Sequence, residues 1–306
     1  MFEGVNAVVT TPFGKTGSLD KAALRAKVKF LIRGGIRSED GLIVANGSTG
    51  ECYALTTEEQ KSLYEIVMDA VEGADTRVIL GSSSTSTRTA IELSKYARDL
   101  GADGVLNLPP YYWPLDERQL MYHYQLLNDA VDIPIMVYNN PGVTQIDIHN
   151  DVLEMICELA NVKAVKDCTR SLPKMETLVR SIGDRIEVIC GRGEFHEPYG
   201  YMMGTRGFVT IVANWDPETA VMLHRLAVAG DYAAFIEMKE ARISPVFDWM
   251  AQLPLCKQVS LIKHMEVRLG VSRSEVVRAP ALPLSTAEKR MLESILDKMG
   301  WYPSEN

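Results

Sequence analysis

The chain is poor in the residues on which metal and redox sites draw. Its five cysteines, Cys52, Cys157, Cys168, Cys190 and Cys256, are odd in number and contain no Cys-x-x-Cys pair. Reduced thiols are therefore expected, not a disulfide framework or a metal ribbon. The five histidines, His123, His149, His196, His224 and His264, are scattered, with no His-x-His at a strand end. That counts against a metal-dependent barrel hydrolase, which needs clustered imidazoles. No run of about 18 apolar residues occurs. The start, Met1-Phe2-Glu3-Gly4-Val5, has neither a basic segment nor a long apolar one, so the expectation is a cytoplasmic protein without a membrane span or secretory leader. Positive charge is also short, 32 Lys+Arg against 40 Asp+Glu for a net −8. Such a surface repels phosphate backbones and anionic headgroups, so no nucleic-acid or membrane partner is expected.

What the chain does have is a repeating alternation. Its 306 residues, 46% hydrophobic, suit either two modest domains or one α/β barrel. Short apolar runs recur at Asn6–Thr10, Gly41–Ala45, Val78–Gly81, Gly104–Leu108, Pro134–Tyr138, Val162–Lys166, Glu187–Cys190 and Gly207–Val212, eight candidate strands. Their near-continuous apolarity is what parallel strands covered on both faces require. Between them lie helical stripes: Leu24, Val28, Leu31 and Ile32 before Gly34-Gly35, and Leu63, Ile66, Val67 and Ala70 behind a Thr56–Glu59 capping box. Further helices are expected at 87–100, 116–131, 147–160, 173–182, 194–203 and 217–229. Strand then helix, eight times, predicts a (β/α)₈ TIM barrel over 1–230 with right-handed crossovers. A doubly wound sheet is the alternative, but Val9-Thr10-Thr11-Pro12-Phe13 stands where its glycine-rich fingerprint would follow the first strand. Residues 231–306 show helical periodicity punctuated by Pro254, Pro280 and Pro283, which predicts an appended C-terminal helical subdomain without a core of its own.

In such a barrel the chemistry sits at the C-terminal ends of the strands. Lys166 closes the sixth apolar run, and alternation puts Val162, Ala164 and Lys166 on one face, opposite Lys163 and Val165. An inward lysine in an apolar mouth is driven toward the neutral amine that attacks a ketone; a solvated lysine at a strand end fits the same local sequence. Tyr138 ends the fifth run, where a phenol can relay a proton or simply rim the barrel. Ser48-Thr49, between Gly47 and Gly50, offers hydroxyls and backbone N–H groups to a carboxylate, although a plain loop has the same composition.

Taken together, Gly47-Ser48-Thr49-Gly50-Glu51, Tyr111-Tyr112, Tyr138-Asn139-Asn140-Pro141, Lys166 and Gly207–Asn214 resemble the dihydrodipicolinate synthase and N-acetylneuraminate lyase family of pyruvate-dependent class I aldolases. The resemblance runs from about residue 4 to 300 with order and spacing kept. It implies Lys166 as the Schiff-base residue, Tyr138 as proton relay, and Ser48 and Thr49 as the carboxylate site. It implies Tyr112 as a side chain lent across a dimer interface in a homotetramer, and a Val209 carbonyl near the bound 2-oxo acid. No metal or organic cofactor is implied.

Two positions depart from the synthase pattern. Val143 stands where dihydrodipicolinate synthases usually carry an arginine for the carboxylate of aspartate semialdehyde; an uncharged side chain makes no bidentate contact. Arg192 and Glu194 lie where sugar-acid enzymes of the family contact the distal part of the substrate, although the two could equally serve the loop itself. The sequence thus reads first as a Schiff-base lyase or dehydratase on a 2-oxo-3-deoxy sugar acid. Dihydrodipicolinate synthase, an aromatic hydratase-aldolase and a catalytically silent 2-oxo acid-binding barrel are the rivals.

Overall fold

The computed structural model describes residues 1–301. Eight strands, β1 (Gly4–Val8), β2 (Gly41–Ala45), β3 (Arg77–Gly81), β4 (Gly104–Asn107), β5 (Ile135–Asn139), β6 (Val162–Asp167), β7 (Glu187–Cys190) and β8 (Gly207–Thr210), pair in chain order and close into a barrel. Every pairing is parallel, including β1 with β8. Helices α1 (Lys21–Arg33), α2 (Thr57–Val71), α3 (Thr87–Asp99), α4 (Glu117–Ala130), α5 (Pro141–Thr144), α6 (Asn150–Ile156), α7 (Leu172–Ile182), α8 (Tyr199–Met203) and α9 (Pro217–Val228) fill the connections. This is the TIM barrel that the alternation predicts. β1 and β2 are buried at every residue, as strands walled by helices outside and side chains inside must be.

The boundaries move where turns compete with strands. Thr10 leaves the first ladder, and its hydroxyl donates to Glu266 at 2.7 Å. Val212 begins a 3₁₀ turn and does not extend β8. The helix expected over 194–203 divides into a 3₁₀ turn at Gly193–Phe195 and the short α8. Pro198, which has no N–H to donate, stands at the break.

After α9 come α10 (Tyr232–Arg242), α11 (Ser244–Met250), α12 (Gln258–Arg268) and α13 (Thr286–Lys298). Their buried residues, among them Phe235, Phe247, Leu261, Met265 and Leu292, join the same continuous hydrophobic cluster as the barrel. Two buried ion pairs fasten α12 to the barrel's catalytic end. Lys27 of α1 pairs with Glu266, and Lys263 pairs with Glu51 in the loop after β2. Arg278 adds a bidentate contact to Glu59 of α2 at 2.6 and 2.5 Å. The C-terminal helices thus brace the β2 loop.

Candidate active site

Register brings the two principal side chains side by side, because Tyr138 of β5 is directly opposite Lys166 of β6. Lys163 faces out and is exposed, whereas Lys166 is 5% exposed, with its Nζ 3.8 Å from the centre of the Tyr138 ring. Burial pulls the Lys166 pKa below the ordinary lysine value. The neighbouring Asp167 does not restore it. That carboxylate faces the other way, accepting from Asn139 Nδ2 at 2.8 Å and the Thr169 N–H at 3.1 Å.

Tyr138 is buried too, which pushes its phenol well above the usual 10. Its hydroxyl receives a hydrogen bond from Asn140 Nδ2 at 2.7 Å and also meets the Ser48 hydroxyl and the Cys168 thiol. Ser48 and Thr49 are half-buried in a turn whose ends, Asn46 and Glu51, both take the left-handed conformation at φ 59° and 55°. Non-glycine residues rarely adopt it, and side-chain bonds hold both here. Asn46 donates to Gln60 and to the Gly81 carbonyl, each at 2.7 Å, and Glu51 is locked to Lys263. Among the described residues, the N–H groups of Ser48 and Thr49 find no acceptor. Two donors are thus left available in a turn beside Tyr138, a geometry that suits an anion.

On the far side, β7 leads into Gly191-Arg192-Gly193-Glu194. A side chain at Gly191 would collide with Cys168 Sγ at 2.4 Å, and one at Gly193 with the Val209 carbonyl at 1.9 Å. Glycine is therefore required for this loop to cross the ends of β6 and β8. Val209 is buried beneath it. Arg192 is half-buried over the Phe195 ring at 5.1 Å, with Nε unpartnered, and makes no ion pair among the described residues. Burial lowers its pKa from the usual 12.5. Glu194 instead turns into the chain, its carboxylate accepting from the Thr210 hydroxyl and from the Val212 N–H at 3.3 Å.

Lys166, Tyr138 and Ser48 thus converge, and Arg192 stands in the loop after the neighbouring β7, over the Phe195 ring. Tyr112 does not join them. It is 77% exposed, stacked edge-on against the 71% exposed Trp113 with ring centres 5.5 Å apart. Val143 is exposed on α5. The sequence reading passed over Asn140 and Cys168. Position signals both: Asn140 precedes Pro141-Gly142 as a helix cap, and Cys168 lies two residues past Lys166. Among the described residues, no group of three or more His, Cys, Asp or Glu is placed to hold a metal ion, and no helix is long and apolar enough to cross a membrane.

Comparison with known proteins agrees with this geometry. The model of the dihydrodipicolinate synthetase family matches residues 1–299. A 4-hydroxy-tetrahydrodipicolinate synthase of Methanothermobacter thermautotrophicus is 36% identical over 285 residues, 92% of this chain and 97% of that protein. One from Geotalea daltonii is 33% identical over 302 residues, 97% and 98% of the two. Among solved structures, dihydrodipicolinate synthase from Bacillus clausii superposes with a TM-score of 0.89 at 29% identity, covering 98% of each chain. A prophage protein of the dihydrodipicolinic acid synthase family from E. coli K12, in complex with pyruvate, gives 0.88 at 27% identity, with 98% and 99% covered. The chain belongs to the dihydrodipicolinate synthetase family and is a class I, Schiff-base lyase.

Proposed function

We propose that Lys166 Nζ condenses with the ketone carbon of a 2-oxo acid, with Tyr138 as the proton relay and the Ser48–Thr49 turn holding the carboxylate. The supporting observation is a contrast among lysines. Three are under a tenth exposed, Lys27 at 2%, Lys166 at 5% and Lys263 at 1%. Burial lowers the pKa of all three, but Lys27 and Lys263 each face a buried carboxylate that opposes the shift, whereas Lys166 has no such partner among the described residues. An unpaired buried lysine readily gives up its proton, and the neutral amine is the nucleophile. Incubation with pyruvate and borohydride is expected to leave one reduced adduct on Lys166, and Lys166→Ala to leave none. An adduct of equal yield in that variant refutes the assignment.

Of two readings of the second substrate, the first is the better supported. The names of the curated relatives favour condensation of pyruvate with aspartate semialdehyde. The uncharged Val143 and the unpaired Arg192 favour a 2-oxo-3-deoxy sugar acid whose distal carboxylate or phosphate pairs with the guanidinium. Turnover of one and not the other decides between them. In the second case Arg192→Ala raises KM about 10- to 100-fold, as expected for a lost charged hydrogen bond, and only for substrates with that distal anion. Tyr112 on this reading completes the site of a neighbouring protomer, within a dimer of dimers.

A further inference from the structure

Asn140 lies between β5 and α5 and uses both ends of its side-chain amide. Its Oδ1 accepts from the Gly142 N–H at 3.1 Å and so caps α5, while its Nδ2 donates to the Tyr138 hydroxyl oxygen at 2.7 Å. The two ends of an amide have the same shape, so partners decide which is which. A backbone N–H can only donate, so the atom facing Gly142 is the carbonyl oxygen and the atom facing Tyr138 is the NH₂. The phenol oxygen is thereby made an acceptor on that side, and its own proton must be placed elsewhere. Lys166 Nζ is over the ring face and not at the hydroxyl, and the other polar neighbours of the oxygen are Ser48 and Cys168. The proton is turned away from α5, toward the side of Ser48 and Cys168.

We propose that Asn140 is a positioning residue, whose amide aims the Tyr138 proton at the reacting atoms by occupying the opposite side of the phenol oxygen. This rests on Tyr138 being the relay. In that step the neutral carbinolamine on Lys166 loses its hydroxyl as water with the Tyr138 proton, leaving a protonated imine and a phenolate. The phenolate then takes the proton from C3 of the substrate, giving the enamine and restoring the phenol, so charges and protons balance. Throughout, the Asn140 N–H stays on the oxygen and stabilises it while it is negative. Burial works against that phenolate, and the Asn140 bond is among the few contacts that offset it.

Asn140→Asp separates this role from capping. A carboxylate still accepts from Gly142 and keeps the size, but it can no longer donate, so the phenol proton is drawn toward residue 140 and away from the Ser48 and Cys168 side. The expected result is a fall in kcat and in the rate of borohydride-trappable imine formation of about tenfold or more, within the range of acid–base contributions. The trapped fraction at equilibrium and the thermal midpoint should be held. Tyr138→Phe is slower still, and adding Asn140→Asp to it changes the rate less than about twofold, because no hydroxyl remains to orient. A normal rate for Asn140→Asp beside a slow Tyr138→Phe overturns the role of Asn140 and leaves the relay standing. So does an equal loss from Asn140→Asp in both backgrounds. A normal rate for Tyr138→Phe removes the relay itself, and the role of Asn140 with it.

Discussion

A lysine buried without a counter-ion is expensive, and this chain keeps one at the end of β6. The adjacent Asp167 is spent on Asn139 and Thr169, so it offers Lys166 no charge to lean on. Replacing the ammonium by a thioether of similar length should stabilise the fold while destroying the chemistry. Lys166→Met is expected to raise unfolding free energy on the order of 1 kcal/mol, the usual scale when a functional residue is traded for packing. The sign with pH follows from the lowered pKa. Below the folded pKa the wild-type protein bears the full cost of a buried ammonium. Between that pKa and the ordinary 10.5 the cost fades as pH rises, and above 10.5 it is gone. The stabilising effect of Lys166→Met should therefore be largest below the folded pKa, shrink as pH rises from there toward 10.5, and vanish above it. Denaturant unfolding at several pH values checks it, and a destabilised variant at pH 7 means that Lys166 has a partner. The opposite holds at Lys27 and Lys263, whose carboxylates make removal costly.

At the scale of elements, the near-continuous apolar runs showed all eight strands, because a strand covered on both faces has no polar residues to blur it. Lys166 and Tyr138 were legible for the same reason: polar residues ending apolar runs stand out. Strand ends and the 194–203 segment were less so, since Thr10, Val212 and Pro198 answer to turns that periodicity does not register. Least legible were partners far apart in the chain. Glu51 reads as the last letter of a glycine-rich motif, yet it meets Lys263, 212 residues away. Amphipathic spacing said that α12 was a helix; nothing in it said which loop the helix would hold. A prediction follows for this pair. Lys263→Met strands a buried carboxylate and should cost about 3–5 kcal/mol, whereas Glu51→Gln with Lys263→Met should recover much of it. Glu51 holds the left-handed end of the Ser48–Thr49 turn, so the single variant should also raise the KM for pyruvate. Chemical denaturation and steady-state kinetics on the two variants measure both effects. A KM at the wild-type level in Lys263→Met would mean that the turn holds its shape without α12.

For the whole molecule the outstanding fact is an aromatic pair that its own chain leaves in solvent. Exposed Tyr and Trp side by side are costly to keep on a surface and are favoured anchors at protein interfaces. Tyr112 can enter the chemistry only if a second copy of the chain brings it to a site, and a two-fold pair would do so reciprocally. That arrangement makes a distinctive prediction. Lys166→Ala has no nucleophile but a good Tyr112, and Tyr112→Phe has the nucleophile but lends a defective ring. Each alone should be impaired. After mixing and exchange of protomers, half of the pairs are mixed, and one site in each mixed pair combines an intact Lys166 with an intact Tyr112. About a quarter of all sites should then regain wild-type turnover. Differently tagged protomers report whether exchange has occurred, so a failure to assemble is not mistaken for a failure to complement. Co-purified mixed pairs without recovered activity would show that Tyr112 works inside its own protomer or not at all. Recovery near a quarter would place the hydroxyl of one chain against the imine of the other, and explain why the barrel leaves this tyrosine uncovered.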